Sequence, residues 1–542
     1  MTYNSTTHWT IADENVKCGL LLFAQSLEEL LSIHSHDSHK VPALNFHHIC
    51  FEISHTIDLI ETDVLEKGNL IPLIAEMRTL FHQDWVAQKF LGSDFEAIFF
   101  NKNSNGDYEK KPLKIENSKD IDAVLPQLKK KIRFIIGVLE RKNQYYLELI
   151  NESKKQIKDC GNDLEKLEFL LSLTKIIASE LINQGFNQSY IYDCINQTFF
   201  SPQYHVDSLE SVDKFFNYFS SSQRKYSVYL PINSIKQKKA LDDYGVFKFA
   251  ENVYEMFNSS IPYILKYECE ASDPYNAREN TLDLINFCLA VNQFIKHNKY
   301  DFYPRYAEVL DKESCQVTSI QKPEPAIVRG NTNAVEIELN DLLQTCFDLG
   351  VSIFQILQLH SAAITSKNPS NQLINLWTAM EVAVPVIRKD GLSRINQISN
   401  VLTSILSENY FATLIHQLLL DIKAADSTLL DNINGIEYDG SLELKLSAII
   451  VLQKYTDTFE EISTKLSQSV PLLACRMQCY KNRWSTTQKL KESYRAHVER
   501  LSQQIMRIYR TRNMLVHDGS SLLYSDYVLQ NLQVDCIMKL DT

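Results

Sequence analysis

No apolar run in the 542-residue sequence approaches the roughly eighteen residues that a membrane-crossing helix needs. The first fifteen residues are polar and lack a basic-then-apolar pattern, so no secretory signal is expected. A soluble, cytoplasmic chain with no membrane partner is the expectation. A disulfide frame is also missing: the eleven cysteines are odd in number and scattered, as expected of reduced intracellular thiols. There is no Gly-x-x-x-x-Gly-Lys phosphate loop, no Gly-x-Ser-x-Gly elbow and no His-Glu-x-x-His, which removes the commonest nucleotide, serine-hydrolase and zinc-protease signatures. No carboxylate cluster with metal spacing is apparent. Positive charge is short overall: the formal net charge of −12 argues against a general nucleic-acid coat, although distribution matters more than the sum.

What is present is an ordinary globular composition, 44% hydrophobic and 23% charged, with length for two to four domains. Residues 1–215 read as mainly helical. Leu164, Leu167 and Leu171 make a stripe on a helix over Asp163–Gln184, and Ala123–Lys154 reads as one long amphipathic helix. Phe100–Lys114 reads as a loop or hairpin tip. Eight of the fourteen histidines lie within the first 82 residues, including His34, His36, His39, His47 and His48. Imidazole is a common metal ligand, but His34–His39 carries turn residues, lacks an i, i+4 pair and has no cysteine-rich partner. A solvated loop is expected there, with no metal site and no cofactor.

Residues 216–335 change period. Tyr226–Ile232 and Tyr263–Cys269 read as strands, Asp273-Pro274 breaks the second, and a helix follows over Arg278–His297 before strand character returns over Tyr303–Ile320. This predicts a small α+β domain, with a linker over Thr318–Ala334. Residues 336–542 return to helix: Val335–Lys367, broken near Gly350, then a helix containing Leu373–Glu381, then Ile395–Tyr410. The predicted class is mainly α, with an N-terminal sensing or restraining region, a small α+β middle domain and a C-terminal helical bundle.

The richest stretch lies near the end. Glu499–Val516 has an apolar stripe of Leu501, Ile505, Ile508, Leu515 and Val516 without a breaker, and Gly519 is placed to stop it. His517 then falls in the last turn, and Asn513, four residues earlier, shares its face. Arg512 lies roughly 140° around from His517. Ten basic residues between Arg476 and Arg512 face only Glu492 and Glu499, a local charge of +8. Tyr480, Trp484, Tyr494 and Tyr509 are interleaved as stacking candidates for bases. A solvated helix face would explain such a run on its own; its leading into Arg512 and His517 makes an RNA-tracking groove an equal reading, with Arg500, Arg507, Arg510 and Tyr509 as contacts.

Arg512-Asn513-Met514-Leu515-Val516-His517 resembles the Arg-(four to six residues)-His signature of the HEPN ribonucleases. Tyr509-Arg510 and Asp518-Gly519 flank it as in the ApeA-like HEPN branch. Leu376-Trp377-x-x-x-Glu381 and Ile395–Tyr410 resemble core helices of the same domains, so the resemblance spans roughly 340–542. The strand, Asp-Pro-Tyr and helix of the middle region weakly resemble segments that often precede such domains. The short run after His517 departs from the family pattern.

The residue types suit phosphodiester chemistry. RNA carries its own nucleophile, the 2′-OH, and a histidine titrating near neutrality can act as acid or base. Arginine offers a permanent fork matched to phosphate oxygens. Asn513 is expected to hold the phosphate or the imidazole, and Glu381 to orient Arg512 or His517, although a plain surface glutamate reads as well. The resemblance implies a metal-independent endoribonuclease that leaves cyclic-phosphate ends, and a composite site in a homodimer or larger even-numbered assembly through the C-terminal domain. It also implies action on host RNA such as tRNA to arrest growth in bacterial anti-phage defence, with a phage-derived trigger. The alternative is a non-catalytic bundle of the same type used for dimerisation or for RNA or nucleotide binding.

Overall fold

The computed structural model describes residues 8–517 except 33–34, 36–38, 93–94, 96–99, 103–107, 113–117, 162, 221–222, 252–260, 298–301, 303, 322–350, 367 and 385–392. The chain forms two compact units. The first draws its described residues from Met1–Asn183, Pro202–Leu209 and Ala326–Thr542; the second draws them from Gln184–Ser201 and Glu210–Pro325. Helices dominate, and the larger sheet is a five-stranded antiparallel one in the middle of the chain, as the predicted mainly α class requires.

The first unit starts with α1 (Glu14–Leu31), α2 (Phe46–Glu61), α3 (Leu70–Gln83) and α4 (Trp85–Leu91). A short hairpin follows, β1 (Phe100–Lys102) against β2 (Tyr108–Pro112). Its tip lies outside the described residues. Then come α5 (Ser118–Leu139), α6 (Gln144–Asp159) and α7 (Leu164–Asn183). Helix α1 is the centre. Asp13 caps it by accepting from the Asn15 amide at 2.9 Å, and every residue from Gly19 to Leu31 is buried. A helix buried on all sides needs neighbours on all sides, and α1 packs against α6, α7 and α19 (Pro471–Arg483). Gly19 is required by that packing: a Cβ there would run into the backbone carbonyl of Ile157 on α6.

The single helix expected over Ala123–Lys154 is two. Glu140–Asn143 forms a turn with Asn143 left-handed at φ 56°. Asparagine tolerates that region, and the turn lets Tyr145 and Tyr146 both enter the core. The predicted helix over Asp163–Gln184 is α7.

The second unit holds α8 (Gln188–Ile195), α9 (Glu210–Asn217), β3 (Arg224–Ile232), α10 (Ile235–Asp242), β4 (Lys248–Glu251), β5 (Tyr263–Ala271), α11 (Pro274–Lys296), β6 (Tyr306–Asp311) and β7 (Val317–Gln321). Its strands run in the order β4-β5-β3-β6-β7, all antiparallel. Tyr226, Val228, Leu230 and Ile232 fall on one face by the two-residue period and pack with Leu282 and Ile285 of α11. The predicted break at Asp273-Pro274 is an N-cap: Asp273 accepts from the Asn276 amide at 2.8 Å, and Pro274 takes the first helical position. The linker expected over Thr318–Ala334 begins inside β7, and its remainder lies outside the described residues.

The chain then re-enters the first unit through α12 (Val351–Thr365), α13 (Pro369–Ala383), α14 (Arg394–Leu406), α15 (Tyr410–Ala425), α16 (Leu429–Asn434), α17 (Leu442–Val451), α18 (Thr456–Ser469), α19 and α20 (Thr487–His517). Leu418, Ile422, Leu446, Ile449, Phe459, Ile462, Leu473 and Met477 form the core of α15–α19. The expected separation of 1–215 from 336–542 does not hold in the described residues. The two ends share one unit, because carboxylates near the start of the chain pair with arginines near its end. Arg476 of α19 donates to Glu29 of α1 and, at 3.1 Å, to Asp421 of α15; all three are buried.

Candidate active site

Helix α20 is 31 residues long and carries the Arg–His motif at its end. Leu501, Ile505, Met506, Ile508 and Met514 are its buried apolar residues. Ser502 meets Ser399 of α14 at 3.0 Å, Tyr494 meets Ser407 at 2.9 Å, and the Tyr509 ring packs 5.7 Å from that of Trp377 on α13. The motif helix thus meets α13 and α14 through Tyr494, Ser502 and Tyr509.

A second face of α20 is charged and buried. Arg507 donates to Glu52 of α2 at 3.3 Å and to Glu76 of α3 at 2.5 Å. Arg510 forks onto Glu52 through Nε at 2.9 Å and Nη2 at 2.6 Å. Glu52, Arg507 and Arg510 are only 4%, 5% and 2% exposed, so water does not share these bonds. Burial pushes the Glu52 carboxyl up, but the charges and hydrogen bonds of Arg510 and Arg507 outweigh it and hold it below the ordinary carboxylate range. This corrects the assignment of Arg507 and Arg510 as RNA contacts: both are neutralised inside the protein. The basic stretch is divided the same way at Arg476. Of the proposed stacking rings, Tyr480 and Trp484 are buried and stacked on each other at 4.5 Å, which removes them from any base platform. Arg483, Lys489, Lys491, Arg495 and Arg500 remain exposed, with Arg483 paired to Glu168 at 2.9 Å.

At the motif, Arg512 is half-buried and donates from Nη1 to Asn513 Oδ1 at 2.9 Å. Its Nε is buried with no hydrogen-bond partner among the described residues. Asn513 is 6% exposed, so it holds the guanidinium from the protein side rather than reaching toward solvent. His517 is exposed on the last described turn of α20. Gly519, expected to stop the helix, lies outside the described residues. Glu381 does not orient either residue: its carboxylate accepts from Trp377 Nε1 at 2.7 Å, and its backbone carbonyl accepts from Arg394 at 2.6 Å. A glutamate one turn after a buried tryptophan is placed to satisfy the indole N–H, which a fully buried Trp377 needs.

The N-terminal partners of α20 were missed in the sequence, yet a signal existed. Glu52 sits between Ile49, Ile53 and Ile57 on the buried stripe of α2, where only a paired carboxylate is tolerated. The histidines divide too. His34 and His36, in the expected loop, lie outside the described residues, whereas His47 and His48 are helical residues in the first turn of α2. Among the described residues, no helix is long and apolar enough to cross a membrane. No family model matches the chain, and neither do the curated proteins or the solved structures compared with it.

Proposed function

We propose that the chain is an endoribonuclease whose chemistry runs on Arg512, His517 and the substrate's own 2′-OH. The observation that carries this reading is the Arg512 guanidinium: half-buried, held by Asn513, and with an Nε–H that has no hydrogen-bond partner among the described residues. The half-buried guanidinium is a permanent forked cation, a group suited to phosphate oxygens. His517, exposed at the end of the same helix, supplies a proton carrier that a polynucleotide can reach. Attack of the 2′-oxygen on phosphorus expels the 5′-oxygen and leaves a 2′,3′-cyclic phosphate; the proton leaves the 2′-OH and is returned to the 5′-oxygen.

One histidine serves poorly as both base and acid, so the reading includes a two-fold assembly that brings two Arg512–His517 pairs to one cleft. By its resemblance the substrate is host RNA, tRNA included, and the setting is growth arrest in anti-phage defence on a phage-derived trigger. Helices α2 and α3, which grip α20 through Glu52 and Glu76, fit the restraining part assigned to the N-terminal region.

The test is cleavage of RNA by purified full-length Arg512→Ala and His517→Ala. Both are expected to lose cleavage, by at least about 10²-fold for the histidine, while keeping the helical spectrum, since neither is fully buried. Substitution of a deoxynucleotide at the cleaved position is expected to block the cut. Near wild-type cleavage by both variants would overturn the catalytic assignment, whereas a wild-type chain that cleaves no RNA would leave the non-catalytic alternative standing.

A further inference from the structure

Helix α2 opens with two consecutive histidines over a buried glutamate of α7. His47 Nδ1 lies 3.2 Å from Glu180 Oε1 and 3.3 Å from Oε2, and His48 Nδ1 lies 3.3 Å from Oε2. Asn45, the N-cap of α2, places its Oδ1 3.0 Å from His48 Nδ1 and its Nδ2 2.6 Å from Glu180 Oε2. The side chains of His47, His48 and Glu180 are 10%, 13% and 2% exposed. The rings are walled in: His47 packs 5.3 Å from both Phe51 and Tyr145, and His48 packs 5.7 Å from Phe51.

The 3.2 and 3.3 Å histidine–carboxylate separations also match those of ligands around one small ion. A four-coordinate centre with bonds of about 2.0–2.1 Å sets its donors about 3.3–3.4 Å apart. The three donor atoms lie within 4.8 Å of one another. Two imidazole nitrogens with one carboxylate oxygen suit zinc and its neighbours, whereas calcium and magnesium prefer oxygen alone.

We propose that His47, His48 and Glu180 bind one zinc-type divalent transition ion, with Asn45 Oδ1 or a water molecule as the fourth ligand. Binding forms bonds from the metal to the two Nδ1 atoms and to the carboxylate, and any proton on His47 Nδ1 leaves to solvent. The site is independent of the Arg512–His517 reading and takes no part in its chemistry. Its effect is mechanical: His48 is one turn from Glu52 on α2, so an ion that ties α2 to α7 also stiffens the helix that holds Arg507 and Arg510.

The experiment uses the full chain, stripped by chelator and titrated with Co²⁺, then Zn²⁺. One equivalent of Co²⁺ is expected to give the intense visible absorption of a four-coordinate centre, displaced by Zn²⁺, and Zn²⁺ is expected to raise the melting temperature. Glu180→Gln and His48→Gln should each weaken binding by at least about tenfold. His416→Gln, which removes the exposed His416–Glu443 pair, should not. A wild-type chain that takes up no stoichiometric Co²⁺ or Zn²⁺ would overturn the proposal. So would absorption that survives in folded His48→Gln and Glu180→Gln, or that is lost only in His416→Gln.

Discussion

Replacing Glu52 by alanine is expected to unlock the motif helix at a cost that can be worked from its bonds. Glu52 accepts three N–H bonds from two guanidiniums, and Glu76 accepts one more from Arg507. Two cations are therefore matched by two carboxylates in a site that water does not enter. Glu52→Ala leaves two cations against one carboxylate, and Arg510 loses both of the bonds it makes to Glu52. Removing one partner of a buried pair costs about 3–5 kcal/mol, a large share of the ~5–15 kcal/mol by which a domain is stable. Urea denaturation of the full chain followed by circular dichroism should show an early transition. Amide exchange should locate it on α20 and α2 and leave the five-stranded sheet protected. The double variant Glu52→Met with Arg510→Leu should recover part of the loss, because it removes the unpaired charge along with the pair. A Glu52→Ala chain within about 1 kcal/mol of wild type would refute the argument, for it would mean that water reaches the arginines after all.

The same carboxylate sets an acid limit. Its folded value lies below its unfolded one, so the stability it contributes is complete above the ordinary carboxylate range near 4.3 and drains as pH falls through the lowered value. Exchange protection of α20 should hold from pH 7 to 5 and fall only below that range; loosening between pH 7 and 5 would contradict it. Gly19→Ala should destabilise the first unit by about 1–3 kcal/mol through overpacking against Ile157, read as a lower urea midpoint with an unchanged slope. Sedimentation of the full chain is expected to show a dimer or larger even-numbered species, tightened by RNA. A chain that stays monomeric at micromolar concentration with RNA and still cleaves would sink the two-fold site.

Periodicity carried most of the elements. The β3 and β5 strands, the Asp273-Pro274 start of α11 and the stripe of α20 were each readable because one face of a local segment is apolar and a cap or breaker marks its end. The break before α6 was not readable, since Arg141-Lys142-Asn143 fits a helix and only the burial of Tyr145 and Tyr146 calls for the turn. At the motif, the resemblance singled out Arg512 and His517 as candidates, and neither it nor the spacing could show that Asn513 is buried or that Glu381 serves Trp377. The basic stretch misled for a physical reason. Local charge density does not distinguish an arginine that faces water from one that meets a distant glutamate, and Arg507 and Arg510, 455 and 458 residues from Glu52, are of the second kind.

That separation also has a consequence in time. A ribosome adding roughly 5–20 residues per second delivers Arg507 on the order of 25–90 s after Glu52. Throughout that interval Glu29, Glu52 and Glu76 stand on nascent helices without the cations that neutralise them in the finished fold. The N-terminal helices therefore carry buried carboxylates whose partners arrive only with α19 and α20. A chain interrupted before α20 carries neither Arg512 and His517 nor the arginines that pair with Glu52 and Glu76, so under the proposed reading cleavage waits until translation has passed the motif.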